Sequence, residues 1–187
     1  MSNPTAVPGA KATMFLSLAM SLIGIGGVVG AYGLLTIPPS EMEAQVELVP
    51  GTADATSAMF QAMAGDPVMK ATQVGNLLAS GLMVVASMLL TIRRPSAIWW
   101  SRQALLANLL YTLAYAVANV WFAQLHPALV DAMFVQGGQP PPEGAPTLLM
   151  YAIGTSCGTL ILLGIYGVMI RVVGRPDVRS FVTREAS

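Results

Sequence analysis

Four stretches of the chain, residues 13–36, 71–92, 105–122 and 147–170, contain no Asp, Glu, Lys, Arg or His. Each reaches the roughly 17–25 residues that cross a hydrocarbon core about 30 Å thick. An apolar helix in a soluble core normally keeps a charged face, and these stretches have none. The pattern therefore predicts an all-α integral membrane protein. Its single domain would hold four transmembrane helices at about 13–36, 67–92, 98–123 and 147–172, arranged as an antiparallel bundle.

Between the spans the pattern changes character. The first outer loop, about 37–66, opens with Pro38-Pro39 and then alternates polar and apolar positions from Glu41 to Leu48, which fits a short strand or a helical turn. Thr52 or Asp54 can cap a short helix carrying Met59, Phe60 and Met63 and stopped at Gly65. Asp66-Pro67 reads as the N-cap and first residue of the second span. The second outer loop, about 124–146, holds another short helix from Pro127 to Gln136, then Gly137-Gly138 and the stiff triplet Pro140-Pro141-Pro142. Ala58-Met59-Phe60 echoes Ala132-Met133-Phe134, but so short a match does not establish a duplication.

Composition agrees with a lipid environment: 55% of the 187 residues are hydrophobic and 10% are charged, against about 25% charged in soluble domains. The first apolar run is too long for the 7–15-residue core of a secretory signal and lacks an A-x-A site, so it is expected to be retained. The single cysteine, Cys157, leaves no internal disulfide and no thiol pair for redox work or zinc.

The charges assign the sides. Lys11, Arg93, Arg94, Arg102, Arg171, Arg175, Arg179 and Arg184 fall in one set of tails and turns, whereas the other set carries seven acids and only Lys70. Lysine and arginine in short loops mark the cytoplasmic side. Tails 1–12 and 173–187 are thus expected in the cytoplasm, in a plasma or inner membrane. Arg93-Arg94 becomes a cytoplasmic turn, with Trp99-Trp100 at the inner headgroup level and Tyr32, Trp121 and Tyr151 in the outer belt. The spacing of Arg171, Arg175 and Arg179 also suits anionic headgroups, although topogenic charge alone accounts for it.

Several patterns look like chemistry and fail on context. Gly154-Thr155-Ser156-Cys157-Gly158 matches the G-x-S-x-G of hydrolases, but lies inside an apolar helix rather than on a strand-to-helix turn. Counting from Thr147, Ser156 would sit about 13 Å deep at 1.5 Å per residue, while the only histidine, His126, lies at a span end. Gly24 to Gly30 misses the dinucleotide spacing by one residue. The outer methionines, Met59 and Met63 with Met42, Met69 and Met133, have the softness that selects Cu(I), but an amphipathic helix needs apolar residues at the same spacing. No catalytic, cofactor or metal site is assigned, and an enzyme is not expected.

Two features remain as candidate sites. Gly26/Gly30 and Gly154/Gly158 have the GxxxG spacing that lets helices approach closely, within this chain or against another. Asn76, Ser80 and Ser87 share a face of the second span, and Asn108, Tyr115 and Asn119 a face of the third. About a turn near Ala97 these would pair as Asn76 with Asn119, Ser80 with Tyr115 and Ser87 with Asn108, forming a polar seam. The expected partners are membrane lipids and other membrane chains, with no nucleic acid. The sequence favours a non-catalytic membrane subunit or scaffold over a small oligomeric channel with an acidic outer mouth, because ion pathways normally place ionisable groups within the spans.

Overall fold

A computed structural model describes residues 9–36, 53–136 and 146–183. Among these residues the chain is helical throughout, with no strand. The elements are α1 (Ala10–Thr36), α2 (Ala53–Gly65), α3 (Pro67–Thr91), α4 (Ala97–Leu125), α5 (Pro127–Gln136), α6 (Thr147–Val173) and α7 (Pro176–Thr183). Helices α1, α3, α4 and α6 are long and apolar enough to cross a membrane. The expected strand or turn at 41–48, the Thr52 cap, the Gly137-Gly138 stop and the proline triplet lie outside the described residues.

Local chemistry sets the helix ends. Asp66 accepts a hydrogen bond from the Met69 amide at 2.8 Å while its own amide closes onto Ala62, so one residue ends α2 and caps α3. Pro67, Pro127 and Pro176 each occupy a first helical position, where a missing N–H costs nothing. At the other end of α3 the Arg93 amide bonds the Leu90 carbonyl and the Arg94 amide the Leu89 carbonyl, the paired closure of a Schellman motif. Arg93 holds the left-handed position, φ 52°, that glycine usually fills.

The chain divides into two compact units. Unit 1 comprises residues 1–30, 76–111 and 162–187. Its core is built on Leu16 and Met20 of α1, Met83, Ala86 and Leu90 of α3, Leu105 of α4, Tyr166 and Met169 of α6, and Val182 of α7. Short α7 keeps Val178 and Val182 inside and its charged residues outside, the amphipathic pattern of a helix laid against a core. At the start of α1, Gly9 has φ 87° and its backbone lies against Asp177, where a Cβ would stand 2.6 Å from the Asp177 carbonyl carbon. Only glycine meets both demands.

Unit 2 comprises residues 31–75 and 112–161. Helix α2 packs against α5, and Met59, Met69, Ala118 and Phe122 form a buried cluster bordered by Met63, Tyr115, Leu129 and Tyr151. Of the methionines weighed as soft ligands, Met59, Met63 and Met69 serve here as apolar filling. The His126 ring lies against Phe122 with centroids 4.5 Å apart.

The charges follow the same division. The described part of unit 1 carries seven basic residues and one acid, Asp177, whose carboxylate is 2.8 Å from Arg175. That hydrogen-bonded arginine holds the Asp177 carboxyl below the usual carboxylate range. In the described part of unit 2, Lys70 is the only lysine or arginine.

Candidate interaction site

Small residues do bring helices together, though on a different face from the GxxxG pairs. The buried positions of α1 in unit 1 are Thr13, Leu16, Ser17, Met20 and Gly24, recurring at the helical period. A Cβ on Gly24 would meet Val84 Cγ2 at 2.9 Å and the Ser80 carbonyl at 3.0 Å. One on Gly27 would come within 2.8 Å of Ser80 Cβ. These two glycines are the close approach of α1 to α3. By contrast, a Cβ on Gly26, Gly30, Gly154 or Gly158 meets nothing within 4 Å. At 100° per residue, Gly26 and Gly30 project well away from the face centred on Met20 and Gly24.

The polar residues also find other neighbours than the expected seam. Ser87 accepts a hydrogen bond from Ser21 at 2.9 Å, and its backbone carbonyl accepts one from Ser17 at 3.1 Å. Ser17 and Thr91 share a further bond at 2.8 Å. The hydroxyls of α3 therefore join a ladder with Ser17 and Ser21 of α1. Ser80 donates to Asn76 one turn away at 2.9 Å, beside Gly27.

Asn108 reaches across to α3, but to the Ala79 carbonyl at 2.8 Å, and it also donates to Ala104 in its own helix. The connection between α3 and α4 is centred on Arg94 rather than Ala97, which moves the partner of Asn108 from Ser87 by about two turns to positions 79 and 80. In unit 2, Asn119 donates to the Tyr115 carbonyl and accepts from Tyr151 of α6 at 3.3 Å.

Sequence reasoning passed over Thr13, Ser17 and Ser21, whose spacing of four marks one face of α1, and over Ser101, and it read Arg102 only as a topogenic charge. Ser101 Oγ and Arg102 Nε are buried without a hydrogen-bond partner. The Arg102 guanidinium lies beside Gly174, at the carbonyl end of α6, where the helix dipole favours a cation.

Helix α6 is the least covered span: its most apolar 18-residue window contains no buried residue. Gly154, Gly158, Gly164 and Gly167 are all open on their Cβ side, and Ser156 and Cys157 are exposed. Ser156 borders an open cleft of about 400 Å³ in unit 2, lined also by Ala116, Val117, Val120, Trp121 and Gln124. No basic or acidic side chain lines that cleft, so what it offers a neighbour is shape.

An all-helical fold with four helices of membrane-crossing length and apolarity defines the class, an integral membrane protein. No family model, curated protein or solved structure matches the chain. A functional reading therefore rests on these surfaces.

Proposed function

We propose that the chain is a non-catalytic membrane subunit, a four-span antiparallel bundle that docks another membrane chain through the Gly154/Gly158 face of α6, with Gly26/Gly30 and the outer loops as further contacts. The observation that carries this reading is the set of uncovered glycines. A glycine within a helix costs about 1 kcal/mol relative to alanine, and in lipid only close packing against another helix offsets it. Gly24 and Gly27 have such a neighbour in the chain, whereas the four GxxxG glycines have open space.

The hydrogen bonds support a packing role over a conducting one. Ser17, Ser21, Ser87 and Asn108 bond to one another or to helix carbonyls, as interhelical locks do. The basic bias of unit 1 segments supports cytoplasmic termini in a plasma or inner membrane.

Intact-mass measurement of the full chain, purified in mild detergent, tests the reading. A stoichiometric complex with a second membrane chain, either another copy or a different protein, is expected. Gly158→Leu should dissociate it without lowering the melting temperature of the single chain. A wild-type protein that is monomeric under these conditions, or a complex indifferent to Gly158→Leu, would sink the proposal.

A further inference from the structure

Unit 1 contains an open groove of about 510 Å³ between α1 and the end of α3. Its volume lies within the roughly 300–1,000 Å³ of clefts that bury small molecules. Along α1 the lining runs from Ala10 to Ser21, roughly 16 Å at 1.5 Å per residue, about half the thickness of a hydrocarbon core. The groove thus has the depth of one leaflet.

Its walls differ in character. Met14 and Leu18 form an outer apolar rim, 63% and 55% exposed, as side chains bathed by acyl chains would be. Ser17 and Thr91 line it too, with their hydroxyls engaged in the ladder, so the wall requires no water. Among the described residues one cation lines the groove: Arg93, at the turn end, with its guanidinium 4.3 Å from the Phe181 ring centroid. Arg93 keeps this place in a left-handed backbone conformation, φ 52°, that side chains rarely adopt. The surrounding unit has seven basic residues in its described part and one acid, which lies against Arg175.

We infer that the groove holds an anionic phospholipid, with its phosphate at Arg93 and one acyl chain lying along α1 toward Ser21. Guanidinium suits phosphate through parallel N–H donors, and stacking on Phe181 fixes its position. The neighbouring basic residues favour an anionic headgroup over a zwitterionic one. This inference rests on the membrane reading of the four spans and is independent of the subunit proposal.

The test is native mass spectrometry of the full chain, delipidated in detergent and then given equal amounts of dioleoylphosphatidylglycerol and dioleoylphosphatidylcholine. One retained phosphatidylglycerol is expected, preferred about tenfold. Arg93→Gly should cut the preference to less than threefold, and glycine suits φ 52° there, so the turn survives. Arg94→Ala removes the same charge from the adjacent exposed residue, outside the groove lining, and should lower the preference far less than Arg93→Gly. Met14→Trp, which fills the groove, should lower retention of both lipids.

No preference in the wild type, an equal loss in Arg94→Ala and Arg93→Gly, or unchanged retention in Met14→Trp would each overturn the inference. So would a second protein chain retained in place of lipid and released by Met14→Trp.

Discussion

Gly27→Ala is the sharpest perturbation of the α1–α3 contact. The new methyl would overlap Ser80 Cβ at 2.8 Å, so turning the Ser80 hydroxyl aside does not relieve the clash and a helix must shift. Overpacking of this kind costs about 1–3 kcal/mol, whereas replacing glycine by alanine in a helix returns about 1 kcal/mol. The net loss is therefore up to about 2 kcal/mol, which for a chain of this length corresponds to a melting temperature lower by up to about 8 °C. Gly26→Ala has the same propensity gain and no overlap, and should melt up to about 3 °C higher than wild type. Tryptophan fluorescence in mild detergent, scanned reversibly, reads both. The pair Gly27→Ala with Ser80→Gly removes the overlapping Cβ and should recover most of the loss, a coupling that a double-mutant cycle isolates. Gly27→Ala as stable as Gly26→Ala, or Gly26→Ala the more damaging of the two, would refute this assignment of the helix faces.

Three further outcomes follow from the same packing. With Cys157 replaced by alanine, cysteines at Ser80 and Asn108 should crosslink on oxidation, whereas cysteines at Ser87 and Asn108, offset by about 10 Å along the helix, should not; the reverse would restore the register about Ala97. Ser101→Ala removes a fully buried hydroxyl that has no partner, and should hold or raise the melting temperature, since an unsatisfied buried group costs about 1–3 kcal/mol. Because Arg175 lowers the Asp177 carboxyl below its unfolded range, the pair contributes stability at pH above that range and loses it as the pH falls through the folded value. The small advantage of wild type over Asp177→Asn in melting should thus be present at pH 7 and vanish in acid.

Much of the architecture was legible because a bilayer imposes simple rules on sequence. Charge-free runs of span length marked α1, α3, α4 and α6, and Asp66-Pro67 marked a cap that the Met69 amide indeed uses. The packing faces were harder to read. Gly26/Gly30 carries the familiar spacing, yet the close approach uses Gly24 and Gly27, because the face is set by all its small residues together, Ser17 and Ser21 included. A polar stripe on α3 likewise says that hydroxyls share a face without saying which helix meets it. The register depended on the turn centre. Arg93 takes the left-handed closing position without the glycine that usually signals it, so the turn centres on Arg94 rather than on the expected Ala97 and the partner of Asn108 moves with it.

The central claim, that the uncovered glycine face of α6 meets another chain, is tested most directly in the native membrane. A photo-crosslinking amino acid in place of Ile161, an exposed position one turn beyond Gly158, would be irradiated in intact membranes and the adducts weighed. The account expects one discrete protein adduct that disappears when Gly158→Leu is added. Irradiation that yields lipid adducts alone, or a protein adduct that persists in Gly158→Leu, would contradict it.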